Sequence, residues 1–327
     1  MKKAVIGIDI GGTSTKFGAI DEDSETVFID SIPTKGYESL EEYLDVLYRA
    51  IADGLKESGL KVAGVGVGSP KGNQRTGYIE EAYNLISWGD NVPIVQLLAH
   101  QFKVPAFLLN DADAAAYGEK YFGVAKDYDN FILLTIGTGL GSGIYVNGEL
   151  LVGAHGAASE VGHVTVEPQG RLCICGRHGC LETYASAKGI VLTMKELQAG
   201  QTNDGNTIGE YETSDAIARA AQLGDPLALE AFELTGKKLG QAMANLAAIF
   251  DPEAFVLSGG VAKAGDLLLE PTRTAMEDAL MDIYKGRIAL KISETQSRNL
   301  AVLGAASFAR RRIEKLATAL PATADFE

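Results

Sequence analysis

Cysteine is scarce in this 327-residue chain: there are three, all between Cys173 and Cys180. Three thiols cannot all pair within one chain. A disulfide-built secreted scaffold is therefore excluded, and so tight a cluster points to metal ligation instead. Positive charge is also short. The 29 Lys and Arg against 43 Asp and Glu leave a formal net charge of −14, which removes any general attraction to nucleic acid or anionic lipid. Long apolar runs are missing. A stretch such as Phe131–Thr135 falls far short of the roughly 18 residues a membrane span requires. The start, Met-Lys-Lys-Ala-Val-Ile-Gly-Ile-Asp, is interrupted by Gly7 and Asp9 and is followed by no small-residue cleavage site. It is expected to be the first strand of a cytoplasmic protein rather than a signal peptide.

Glycine, by contrast, is abundant. It makes up 38 of 327 residues, well above the usual ~7%, and much of it is clustered. The first cluster follows an apolar strand at Val5–Ile10 and precedes strands at Lys16–Ile20 and Thr26–Ser31. The pattern then restarts with a strand at Phe131–Ile136, a glycine turn at Gly137–Gly143, a strand at Ile144–Val146, the hairpin signal Asn147-Gly148 and a returning strand at Glu149–Val152. This repetition predicts an internal duplication, each copy followed by helices and single strands, and hence two α/β domains with mixed sheets. Between the copies, Ser39 with Glu42 forms a capping box for a helix closed by Gly59. Strands are expected at Val62–Val67 and Val104–Leu109, with helices at Pro93–Phe102 and Asp111–Phe122. Asp225-Pro226 opens a long helix toward Phe250, Ala254–Leu257 and Ile288–Ile292 are strands, and a last helix near Leu300–Leu316 precedes a frayed tail.

Neither glycine turn has P-loop or dinucleotide spacing. Asp9-Ile10-Gly11-Gly12-Thr13-Ser14-Thr15-Lys16 and Gly137-Thr138-Gly139-Leu140-Gly141 instead place glycines and a hydroxyl residue between two strands. Such turns direct backbone N–H groups at phosphate oxygens, which suits an acidic protein binding an anionic ligand. Asp9 is placed to hold a hydrated Mg²⁺, which takes few carboxylates. Taken singly, each turn is equally readable as a plain hairpin connection.

Together with Leu257-Ser258-Gly259-Gly260, these segments resemble the nucleotide-binding elements of the actin-like ATPase superfamily of sugar kinases. Glu160-Val161-Gly162-His163, followed by Cys173-Ile174-Cys175-Gly176-Arg177-His178-Gly179-Cys180-Leu181-Glu182, resembles the signature of the ROK family of bacterial hexose kinases and sugar-responsive repressors. The resemblance runs from about residue 4 to about residue 310. It implies a two-domain actin-like (ribonuclease H-like) α/β fold with a cleft between the domains. Residues 1–111 with about 301–327 would form the small domain, and 112–300 the large one with a zinc-binding loop. It also implies that Gly11, Gly12, Thr13, Lys16, Gly137, Thr138 and Gly139 serve the phosphates of ATP, and Gly259 and Gly260 the adenosine.

Cys173, Cys175 and Cys180 supply three thiolates, and His163, ten residues before Cys173, is the expected fourth ligand of a closed structural Zn²⁺ site. His178 competes with it from inside the loop, and His100 and His155 are weaker candidates. The resemblance gives His163 a second role, in which one ring nitrogen binds zinc and the other faces the sugar. It places Asn84, Asn110, Asp111, Glu160 and Glu182 around the sugar hydroxyls, with Ser69 lining the same cleft. Read alone, Asp111 is a helix cap; within the family it is the base that accepts the proton of the attacking hydroxyl. The implied activity is transfer of the γ-phosphoryl of ATP, with Mg²⁺, to the 6-hydroxyl of a hexose, glucose foremost. N-acetylmannosamine, N-acetylglucosamine or fructose, or a non-catalytic sugar sensor, stand as alternatives. Family repressors carry a winged helix-turn-helix ahead of the first phosphate motif. Here that motif begins at Asp9, so neither nucleic acid nor membrane is expected as a partner, and a homodimer is expected by family analogy. The chain departs from the family pattern at Tyr83, His155, Ser159 and the loop Pro70–Thr76, all near the sugar, which leaves the hexose open.

Overall fold

The computed structural model describes residues 2–81, 88–200, 211–294 and 299–319. The chain divides into two compact units, one of residues 1–126, 152–157 and 297–327, the other of 127–151 and 158–296.

In the first unit, β1 (Lys3–Ile10), β2 (Ser14–Asp21) and β3 (Thr26–Pro33) form the expected antiparallel meander. Helix α1 (Leu40–Ser58) starts where Ser39 Oγ accepts the Glu42 N–H at 3.2 Å and stops at Gly59, which takes φ 63°. The capping box is modified: Glu42 reaches back to the Glu38 N–H at 2.7 Å, one residue before the cap. Strand β4 (Lys61–Ser69) follows. A small sheet of β5 (Gly72–Asn73), β6 (Tyr78–Glu80) and β7 (Asn91–Val92) leads to α2 (Ile94–Phe102), β8 (Ala106–Asn110) and α3 (Asp111–Phe122). The main sheet has the order β3-β2-β1-β4-β8, with β1, β4 and β8 parallel. The central strand β1 is buried on both faces, which is why it reads as a continuous apolar run instead of alternating. Ile6, Ile8 and Ile10 pack with Tyr43, Leu47 and Ile51 of α1 and Leu98 of α2. Val5 and Ile20 pack with Leu300, Leu303 and Ala306 of the C-terminal helix, α9 (Leu300–Ala319).

In the second unit, β9 (Phe131–Ile136), β10 (Leu140–Val146) and β11 (Glu149–Leu150) repeat the meander, with Asn147 and Gly148 at φ 53° and 75° in the connecting turn. After a 3₁₀ turn at Val161–His163 come α4 (Glu182–Ala185), α5 (Ala187–Gly200), α6 (Ser214–Gln222) and α7 (Pro226–Phe250), the last capped by Asp225 on the Ala228 N–H at 2.9 Å. Strand β12 (Ala254–Ser258), helix α8 (Asp266–Ala279) and β13 (Ala289–Ile292) complete it. The sheet order, β11-β10-β9-β12-β13, matches that of the first unit strand for strand. Leu239, Met243 and Leu246 of α7 bury against Ile132, Leu134 and Phe255 of this sheet.

The compact units differ from the expected division at two stretches, 112–126 and 152–157, which both fall in the first unit. A division after residue 111 would give the helix beginning there to the larger domain. Instead α3 packs on α9 within the first unit, because Gly118 lies against the Leu300 backbone and Gly304 against that of Ala114, contacts that no side chain there would allow. The expected tail beyond residue 319 lies outside the described residues.

Candidate functional site

In the first unit the carboxylates gather at the C-terminal ends of the parallel strands, where open α/β sheets bind ligands. Asp9 stands opposite Lys16 across β1 and β2, and beside Gly68 across β1 and β4. A Cβ on Gly68 would lie 3.9 Å from Asp9 Oδ1, 3.8 Å from Asp111 Cα and 2.8 Å from Ala114 Cβ, so glycine lets the start of α3 approach the Asp9 carboxylate. Burial and then the Asp111 charge push the Asp9 carboxyl up to about 7, with Lys16 acting in the opposite direction. A carboxylate held this way fits a site that receives a cation.

Asp111 is not the helix cap. Asn110 takes that position, and the Ala112 N–H lies 3.0 Å from Asn110 Oδ1 and 2.9 Å from Asp111 Oδ1. Gly11, Gly12 and Thr13 form the turn between β1 and β2, closed by the Gly11 N–H on Ser14 O at 3.1 Å, with Gly12 and Thr13 exposed. Ser69 does not present itself as a ligand group: it is fully buried and its hydroxyl donates to Pro70 O at 3.1 Å. Asn84 lies outside the described residues.

Sequence reasoning missed the support of this turn. Thr15 Oγ1 is buried, 2.8 Å from the Tyr43 hydroxyl and 2.9 Å from Thr34 Oγ1, which pins β2 to α1 directly behind the turn. The signal was present in the alternation of exposed Ser14 and Lys16 around a buried hydroxyl.

In the second unit the His163 ring and the sulfurs of Cys173, Cys175 and Cys180 all lie within 4.8 Å of one another. His163 Nδ1 is the nitrogen turned inward, 3.6 Å from Cys173 Sγ, while Nε2 lies 3.9 Å from Glu160 Oε2. Cys175 and Cys180 sulfurs are 3.6 Å apart. The backbone N–H of Arg177 draws the exposed Cys175 thiol down to about 6, whereas burial pushes Cys173 upward. Three soft thiolates and an imidazole at this spacing can hold a metal ion, and the donor set is that of a closed tetrahedral site. His178 is not part of it; its Nδ1 is 2.9 Å from Gly170 O.

Glu182, the first residue of α4, borders the cluster, with Oε1 3.3 Å from Cys173 Sγ. Gly137, Thr138 and Gly139 form the second glycine turn, closed by the Gly137 N–H on Gly139 O at 2.9 Å. Gly259 takes φ 94° against the Ile136 backbone beside this turn, and exposed Gly260 follows it. Arg171 went unnoticed in the sequence. Its guanidinium binds Glu196 at 2.6 Å, Thr183 O at 2.6 Å, Gly189 O at 3.0 Å and Thr193 Oγ1 at 2.9 Å, and it lies over Tyr184. It fastens the loop that carries the sulfurs to α5.

The ROK family model matches residues 5–312 of this chain. The chain belongs to the ROK family. Among similar ROK proteins, a glucokinase of Thermotoga maritima is 35% identical over 95% of this chain and 99% of its own. One from Halalkalibacterium halodurans is 37% identical over 83% and 84%. A solved ROK glucokinase from Streptomyces griseus, in complex with glucose and AMPPNP, superposes with a TM-score of 0.75 at 31% identity, covering 94% of this chain and 99% of that one. The expected family and its actin-like α/β fold are thus both borne out. Among the described residues no helix is long and apolar enough to cross a membrane.

Proposed function

We propose that this ROK protein is an ATP-dependent hexokinase that phosphorylates the 6-hydroxyl of a hexose, glucose before others. The observation that carries the reading is that the Asp111 charge acts on the buried Asp9 carboxyl, beside Gly68, in a chain whose relatives include glucokinases over 95% and 83% of its length.

In the first unit, Asp111 accepts the proton of the 6-hydroxyl as that oxygen attacks the γ-phosphorus. The bond from phosphorus to the β,γ-bridging oxygen breaks, and ADP leaves with its electron pair. Because Asn110 caps α3, the Asp111 carboxylate is held at a fixed place on the first helical turn. Gly11, Gly12, Thr13 and Lys16 receive phosphate oxygens in this unit. Asp9 holds Mg²⁺, which when bound neutralises charge on the transferring phosphoryl group. In the second unit, Gly137, Thr138 and Gly139 serve the phosphates, and Gly259 and Gly260 the nucleoside.

Glu160, His163 Nε2 and Glu182 pair with sugar hydroxyls, as do Asn84 and Asn110. His163 Nδ1, Cys173, Cys175 and Cys180 bind zinc, which when bound fixes the ring orientation and tautomer of His163. Ser69, with no exposed surface, supports the wall. A cytoplasmic homodimer completes the reading, with size-exclusion chromatography as its check.

The test is a coupled ADP-release assay with ATP and Mg²⁺ across a panel of hexoses and N-acetylhexosamines. The reading expects the highest kcat/KM on glucose. Turnover highest on an N-acetylhexosamine would move the substrate, and ADP release with no sugar at all would overturn the kinase assignment.

A further inference from the structure

Glu182 touches two parts of the second unit that the proposed function treats separately. Its Oε1 lies 3.3 Å from Cys173 Sγ and 3.9 Å from His163 Nδ1, at the edge of the metal cluster. Its Oε2 accepts the Leu140 backbone N–H at 3.3 Å, at the end of the second glycine turn. A Cβ on Gly139 would come within 2.7 Å of that same oxygen, so glycine is what admits the carboxylate to the turn. The backbone follows the same line. Glu182 is two residues beyond Cys180; the Leu181 N–H donates to Val164 O at 2.9 Å, next to His163, and the Ala187 N–H donates to Gly137 O at 2.8 Å. The short α4 between these two bonds therefore has one end on the metal ligands and the other on the phosphate turn.

We infer that Glu182 is a positioning residue through which the metal-bound loop holds the Gly137–Leu140 turn in its nucleotide-binding shape, so that metal and nucleotide bind cooperatively even with no sugar present. A bond from a backbone N–H to a charged acceptor is among the stronger hydrogen bonds. Its loss exposes the turn to alternative conformations that must be reordered when phosphate binds. Coupling of this kind is reciprocal: whatever factor the metal adds to nucleotide affinity, the nucleotide adds to metal retention. This inference rests on the kinase reading, which supplies the nucleotide.

The experiment measures ADP binding by calorimetry without sugar, on zinc-loaded and chelator-stripped protein, for wild type, Glu182→Ala and Glu182→Gln. Stripping is expected to weaken ADP binding to wild type about tenfold. Glu182→Ala should show the weakened affinity in both metal states, and Glu182→Gln, which keeps an acceptor oxygen, should recover part of it. The reciprocal measurement needs no variant. Saturating ADP should slow release of zinc from wild type to a chromogenic chelator, and should leave the rate from Glu182→Ala unchanged. A merely structural role would lower metal retention without making it ADP-dependent. Equal ADP affinity of loaded and stripped wild type, or a metal effect that persists undiminished in Glu182→Ala, would overturn the inference while leaving the kinase reading intact. Absence of ADP binding by loaded wild type would overturn both.

Discussion

Asp9→Asn should stabilise the free protein while abolishing its activity, and the gain should depend on pH in a defined way. Asp9 is pushed up from 3.8 to about 7 by burial and by Asp111. In the unfolded chain the group ionises near 3.8, whereas in the folded chain it keeps its proton to about 7. Between those values the folded state binds more protons than the unfolded one, so stability falls as pH rises and then levels off above 7. At about 1.36 kcal/mol per pKa unit, the ionised side chain costs the folded state up to ~4 kcal/mol above pH 7. An amide at the same place carries no charge to desolvate. The variant's advantage should therefore be small at pH 4 and grow by as much as about 3 kcal/mol between pH 5 and pH 8. Thermal unfolding of both proteins, zinc-loaded and without Mg²⁺ or nucleotide, reads this as a Tm gap that widens with pH. Adding Mg²⁺ and ADP should raise the Tm of wild type and leave the variant unmoved. A Tm gap of the same size at pH 5 and pH 8 would show that Asp9 is not desolvated as described and would remove the electrostatic basis for placing a cation there.

The remaining predictions concern the base, the metal loop and the turn. Asp111→Asn should lower kcat by about 10²–10⁴-fold, as loss of a general base does, with an unchanged circular dichroism spectrum; retained turnover would exclude it as the base. Stripping the metal should raise hydrogen exchange across residues 163–182 and abolish sugar binding, since structural zinc contributes on the order of 10–16 kcal/mol in small peptides. Full glucose affinity in a verified zinc-free preparation would refute it. Arg171→Met, by releasing Glu196, Thr183 O and Gly189 O, should cost about 2–4 kcal/mol in urea unfolding and quicken zinc loss. Thr15→Val removes a buried partner of the Tyr43 hydroxyl and should cost about 1–3 kcal/mol while raising the KM for ATP more than that for sugar.

Much of this molecule was legible in the sequence because its signals are local. Ser39, Gly59, Asn147-Gly148 and Asp225-Pro226 mark element ends through bonds made within four residues. The repeated strand, glycine turn, strand pattern announced two sheets that do share one strand order. The thiol spacing announced the cluster of three cysteines and His163 that could hold a metal ion. Less was legible where a position takes its meaning from a distant partner. Ser69 follows a glycine run and looks like a wall of the sugar site, yet its hydroxyl is spent on Pro70 O. Arg171 looks like an ordinary loop cation, and its role exists only because α5 passes beneath it. The strands that follow the glycine turns, β2 and β10, begin closer to the glycines than apolar patterning suggested. Backbone pairing, such as Ile10 with Thr15 and Leu140 with Ile136, continues where side chains stop being apolar.

The sequence by itself determined the family, the duplicated α/β pattern, the clustered thiols and imidazole that could hold a metal ion, and the two glycine turns, since each is written in short-range spacing and in the steric freedom of glycine. Tertiary structure alone decided that Asp111 comes close enough to raise the Asp9 carboxyl, that His163 turns Nδ1 to the sulfurs, that α3 belongs with α9, and that Glu182 reaches from the His/Cys cluster to Leu140. Those four facts depend on the register of parallel strands joined by long crossovers and on helices packed from opposite ends of the chain, and no window of neighbouring residues contains that information.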